Sequence, residues 1–84
     1  MITREKLEIF NKYNGDGDLF LRCSTKLEQD YFGPTEWITI DELLHDVELI
    51  KSELTSPEYR GIALEKIKKN TDEETFHFLI NDKI

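Results

Sequence analysis

The chain has 84 residues, with 18 acidic against 11 basic side chains and a formal net charge of −7. That length suits one small domain (residues 1–84) with a limited core, and the charge argues against direct binding to a DNA or RNA backbone, which needs a basic patch. The single cysteine, Cys23, forms no internal disulfide and so favours a reducing, cytoplasmic setting. No apolar h-region opens the chain, and no apolar run approaches the ~18 residues that span a bilayer.

In chain order, residues 3 to 13 read as a first helix. Thr3 is its cap, and Leu7, Phe10 and Tyr13 recur at i, i+3 and i+6. Asn14-Gly-Asp-Gly-Asp18 follows as a sharp turn, because glycine and Asn/Asp tolerate positive φ. Phe20, Cys23, Leu27 and Tyr31 fall at helical spacing, which predicts a short helix near 18–23 and another near 26–32, with a small helical cysteine expected in the core. Thr25-Lys-Leu-Glu28 has the capping-box pattern, and Gly33-Pro34 stops the helix. A β-hairpin across residues 8 to 23, turning at Asn14-Gly15, is the competing reading.

The most continuous apolar stripe lies in residues 35–54. Trp37, Ile40, Leu43, Leu44, Val47, Ile50 and Leu54 share one helical face, so the other helices are expected to pack on this one. Thr39-Ile-Asp-Glu42 reads as its capping box, with Ile38 and Leu43 as the hydrophobic staple; Thr35 is the rival cap. Ser56-Pro57-Glu58 opens the next helix, with Tyr59, Ile62, Ala63 and Ile67 as its stripe and Gly61 inside it. Thr71-Asp-Glu-Glu74 reads as a further capping box, opening a last helix with Phe76, Leu79 and Ile80 on its core face and Phe78 off it. That helix is expected to end around Asn81-Asp82, leaving Lys83 and Ile84 as a tail. The pattern predicts an all-α protein: a small bundle of four to five short helices in one domain.

Two features bear on function. Lys12 to Cys23 resembles an EF-hand loop, whose pattern is D-x-[DN]-x-[DN]-G with a closing acid at position 12. With Gly17 at the required glycine, Asn14 and Asp16 take positions 3 and 5, but Lys12 and Cys23 occupy the first and last ligand positions. Shifted by two, Asn14, Asp16 and Asp18 become positions 1, 3 and 5, but Leu19 takes the glycine position and Thr25 the closing acid's. Those three residues are the candidate ligands for a weak divalent-cation (Ca²⁺) site, the alternative functional reading.

The second feature is a charge asymmetry. Between Lys26 and Lys51 there is no Lys or Arg, while the same span holds Glu28, Asp30, Glu36, Asp41, Glu42, Asp46 and Glu48. On the central helix Asp41, His45 and Glu48 form one polar row; Glu42, Asp46, Leu49 and Glu53 form the next. An apolar residue inside a charged rim is how many interfaces are built. Asp41, Glu42, Asp46, Glu48, Leu49 and Glu53 are therefore the candidate partner-binding residues.

Neither His45 nor His77 stands at metal-ligand spacing from another His or Cys, and adjacent acids such as Asp41 and Glu42 point apart on a helix. No nucleotide-binding, zinc-protease or nucleophile-elbow motif occurs. The sequence is thus read as a non-enzymatic, cofactor-free, acidic interaction protein. Its expected partner is a protein with a basic surface, masked as an inhibitor or immunity protein masks a toxin, or by nucleic-acid mimicry. Leu49, Ile38 or Phe78 are the expected apolar anchors. A homo-oligomer sealed by Trp37 or Phe78 is a further expectation.

Overall fold

A computed structural model describes residues 1–81 of the chain, and the expected tail of Lys83 and Ile84 lies outside them. Six helices follow in order: α1 (Arg4–Lys12), α2 (Gly17–Cys23), α3 (Lys26–Asp30), α4 (Glu36–Lys51), α5 (Pro57–Asn70) and α6 (Glu73–Ile80). The described residues thus form an all-α bundle, with six helices rather than the four to five expected, and the hairpin across residues 8 to 23 does not form. No described helix is long and apolar enough to cross a membrane.

The Thr3 hydroxyl accepts the Lys6 amide and opens α1, whose Leu7 and Phe10 are buried together with Tyr13 just past its end. The chain then turns through Asn14 (φ 57°) and Gly15 (φ 69°), where the Gly15 amide donates to the Phe10 carbonyl at 2.9 Å. A Cβ at Gly15 would meet the Phe10 ring at 3.0 Å, so the close approach as well as the positive φ requires glycine. Asp16 caps α2, its carboxylate accepting the Asp18 and Leu19 amides at 3.0 and 3.2 Å. Phe20 alone of α2 is buried; Cys23, expected in the core, is exposed, as are Leu27 and Tyr31. Helix α2 is too short to bury a full stripe, so it attaches through Phe20, whose ring packs on Tyr13, Phe32 and Trp37.

One polar cluster ties α3 back to α1. The Thr25–Glu28 capping box forms as expected. The Glu28 carboxylate also accepts from the Tyr13 hydroxyl at 2.6 Å, the Lys12 ammonium at 2.8 Å and the Thr25 amide at 3.0 Å. The Lys12 and Tyr13 hydrogen bonds, then the Thr25 amide, hold the Glu28 carboxyl down at about 2, against an ordinary 4.5. A group depressed on folding contributes stability above its unfolded pKa and loses it as pH falls through the folded one. Part of the acid lability between pH about 4.5 and about 2 is therefore expected to come from Glu28. Urea titrations across that window should show a shallower loss for Glu28→Gln than for wild type; parallel curves would contradict this account.

Helix α4 sits at the centre, as its stripe predicts, touching α1 on one side and α5 on the other. Ile40, Leu43 and Val47 are buried with Ile2, Leu7, Phe10, Ile67 and Leu79, while Trp37, Leu44 and Ile50 pack around them. Its ends differ from expectation. Thr39 is not the cap: the helix starts at Glu36, and the Thr39 hydroxyl donates to the Thr35 carbonyl at 3.0 Å. Thr35 holds the cap position without a side-chain bond, and the Glu36 carboxylate reaches back to the Gly33 amide at 2.7 Å. The expected staple is absent because Ile38 is turned outward. Leu54 is 97% exposed, because the helix stops at Lys51 and the chain turns before Leu54 can complete the stripe.

The Ser56 cap and Pro57 at the first turn of α5 are as read. Ala63 and Ile67 face the core, but Ile62 is 71% exposed and does not belong to that stripe. A Cβ on Gly61 would meet nothing within 4 Å, so this glycine permits no close helix crossing. Gly61→Ala is expected to stabilise the chain by roughly 0.5–1 kcal/mol, raising Tm by a few degrees. A thermal melt followed by circular dichroism checks this, and a lowered Tm would show an unseen contact.

The last capping box is also displaced. Asp72, not Thr71, caps α6, accepting the Thr75 amide at 2.7 Å. Thr71 instead ends α5, is buried, and donates its hydroxyl to the Ile67 carbonyl at 2.7 Å. Its backbone pairs with Ile2, whose amide donates to the Asn70 carbonyl at 2.8 Å. This short bridge buries Ile2 in the core, a role no helical periodicity signals.

Candidate interaction surface

Helix α4 packs Ile40, Leu43 and Val47 into the core, and its opposite side faces outward. Ile38, Asp41, Glu42, His45 and Leu49 recur at i, i+3, i+4, i+7 and i+11, one row on the helix. Ile38, Asp41, Glu42 and His45 are exposed; Leu49 is half-buried, and the Thr55 hydroxyl closes onto its carbonyl. Leu49 is therefore not a free anchor. Glu53 is exposed but lies past the end of the helix, in the turn to α5.

The six acidic-face candidates do not all share one role. Asp46 turns toward α5: the Tyr59 hydroxyl donates to it at 2.6 Å, and the Lys66 ammonium lies 3.6 Å away. That carboxylate lifts the Tyr59 phenol above its ordinary value, chiefly through the hydrogen bond. With its side chain only 13% exposed, Asp46 fastens two helices rather than meeting a partner. Glu42 shares Lys66 at 3.5 Å but is itself 57% exposed, so it keeps an open side. Asp41 and Glu48 are exposed and make no ion pair with the described residues. Glu48 borders a cleft of about 270 Å³ between α1, α4 and α6, where Arg4 and Phe78 also lie. The Arg4 guanidinium sits 4.2 Å above the Phe78 ring and 3.2 Å from Glu74, so Phe78 is already covered by a cation–π contact.

A second surface adjoins the outward row at Ile38. Trp37 stacks on Phe20 with ring centroids 4.5 Å apart and touches Phe10 at 4.6 Å and Phe32 at 5.6 Å. These rings hold α2 and the segment just beyond α3 against α4, and Trp37 is thereby engaged within the chain. The short helices cannot close over the cluster completely. A groove of about 400 Å³ remains, floored by Phe20, Phe32 and Trp37 and edged by Leu21 and Ile38. Leu21 is 68% and Ile38 61% exposed, so two large aliphatic side chains flank an aromatic floor in the open. Sequence reasoning missed this groove. Ile38 outside the α4 stripe was its only trace.

The Asn14–Asp18 segment forms a helix-to-helix corner between α1 and α2. The Asp16 carboxylate is taken up by two backbone amides, and helix α2 begins at Gly17, inside the span an EF-hand needs as loop. Among the described residues no three His, Cys, Asp or Glu side chains cluster to hold a metal ion.

Glu36 anchors the start of α4. Its carboxylate takes the Lys6 ammonium at 2.6 Å, the chain's amino terminus at 3.5 Å and the Gly33 amide. Burial disfavours its charge, but these donors outweigh burial and leave the carboxyl below its ordinary value. Of the acids between Lys26 and Lys51, Glu28, Glu36 and Asp46 are thus internal ties.

No family model, curated protein or solved structure matches the chain.

Proposed function

We propose that the chain is a non-enzymatic, cytoplasmic protein-binding domain that covers a basic surface on its partner. The observation that supports this is the outward side of α4. Asp41 and Glu42 stand exposed there, with Glu48 exposed at its edge beside the α1–α4–α6 cleft, on a stretch of sequence with no Lys or Arg between residues 26 and 51. Beside them Lys66 offsets part of the Glu42 charge, and the carboxylates in excess speed encounter with a basic surface and orient the partner before contact. Masking of a basic site, as on a nuclease-like toxin or a nucleic-acid-binding protein, is the use such a face serves best. Within the acidic set, Asp41, Glu42 and Glu48 are assigned to the partner and Asp46 to the fold.

The test is affinity capture from native lysate at low salt, eluted with a salt gradient and repeated with Asp41→Asn/Glu42→Gln/Glu48→Gln. A basic protein that elutes as salt rises, and that the triple variant fails to retain, is the expected result. A partner held equally well at high salt and by the neutralised variant would sink the proposal.

A further inference from the structure

We infer that the groove between α2, α3 and α4 receives one bulky apolar side chain of the basic partner, presented one helical turn from the cations that meet Asp41 and Glu42. The inference deepens the reading above, on which it rests. None of the residues lining the groove carries a charge. The floor is aromatic and the edges, Leu21 and Ile38, are aliphatic and mostly exposed. Burying such an edge under an apolar side chain removes surface from water on both partners.

The occupant's chemistry follows from what the groove adjoins. Ile38 belongs at once to the groove and to the outward row of α4, where Asp41 and Glu42 follow at i+3 and i+4. The apolar site therefore ends about 5.4 Å, one turn, before the acidic site begins. A helical segment with an apolar residue at i and Lys or Arg at i+3 and i+4 has the same spacing. Arg22 neighbours Leu21 in sequence but falls off the Gly17, Phe20 and Leu21 face that lines the groove.

A second copy of the chain fits less well. A two-fold contact centred on Ile38 would draw the acidic rows of two chains, each of net charge −7, toward one another. An anionic membrane surface is disfavoured for the same reason.

The test uses the full chain and two synthetic helical peptides. One carries Leu followed by Lys at i+3 and i+4; the other has Ser in place of Leu and the same charge. Trp37, the only tryptophan, lines the groove and reports occupancy through its emission. The Leu peptide is expected to bind about tenfold tighter than the Ser peptide and to change Trp37 emission. Leu21→Ser/Ile38→Ser, whose fold is checked by circular dichroism, should erase that preference yet keep the salt-dependent binding. Asp41→Asn/Glu42→Gln should weaken both peptides.

Equal affinity for the two peptides, or a preference that survives Leu21→Ser/Ile38→Ser, overturns the groove assignment and leaves the basic-partner reading standing. Failure of both peptides to bind counts against both. A concentration-dependent dimer of the chain alone, abolished by Leu21→Ser/Ile38→Ser in sedimentation, would make the occupant a second copy and overturn the inference.

Discussion

Trp37→Ala is expected to destabilise the chain by about 3 kcal/mol, the lower part of the range for large aromatic truncations because the ring is only partly buried. The ring touches Phe10 of α1, Phe20 of α2 and Phe32 beyond α3, so one truncation removes three aromatic contacts. Such pairs contribute roughly 0.5–1.5 kcal/mol each beyond the area they bury. Helices of seven and five residues do not persist in water alone, and without Trp37 the Phe20 contacts with Tyr13 and Phe32 and the Glu28 cluster are left to hold α2 and α3. Loss of Trp37 should therefore loosen residues 17–32 first. Urea unfolding followed by far-ultraviolet circular dichroism measures the total, and amide exchange locates it. A cost below about 1 kcal/mol, or uniform exchange along the chain, would show that the cluster is not the attachment.

A matched pair on α5 carries the second large effect. Ile67 is fully buried among residues of α1, α4 and α6, whereas Ile62 is 71% exposed. Ile67→Ala is expected to cost about 3–4 kcal/mol, from lost transfer energy plus the cavity left in a small core. Ile62→Ala should lie within about 0.5 kcal/mol of wild type. A small domain sits at the low end of the usual 5–15 kcal/mol, so Ile67→Ala populates unfolded chain measurably near its lowered Tm. Similar costs at both positions would mean that the face of α5 has been assigned wrongly.

The Ile62 and Ile67 contrast also shows where periodicity reaches its limit. Both isoleucines fit a stripe at helical spacing, yet a helix in a bundle this small buries only a narrow strip, and Ile62 falls outside it. Leu54 fails for a different reason: the helix stops at Lys51, and spacing carries no face beyond the last turn. The displaced caps at Thr39 and Thr71 have a common cause. A Ser or Thr three residues before an acid marks a possible start, but the backbone takes the start that tertiary packing favours. At Thr71 the competing bond to the Ile67 carbonyl and the pairing with Ile2 decided it.

The acidic face was legible as a set of residues but not as a set of roles. Charge and spacing place Asp41, Glu42, Asp46 and Glu48 on one side of α4. Only the arrival of α5, with Tyr59 and Lys66, separates Asp46 as an internal tie from Asp41 as an exposed charge. The groove was not legible because its parts come from three helices, and its openness depends on how short α2 and α3 leave the aromatic cluster uncovered.

Amino-acid order alone determined the all-helical class, the centrality of α4, the corner at Asn14–Gly15 and the lopsided charge, because each rests on side-chain chemistry within a few residues. Tertiary structure decided which apolar residues are core, which acids remain open, and that Ile38 meets an aromatic groove. Those properties depend on neighbours far along the chain, and no local pattern encodes them.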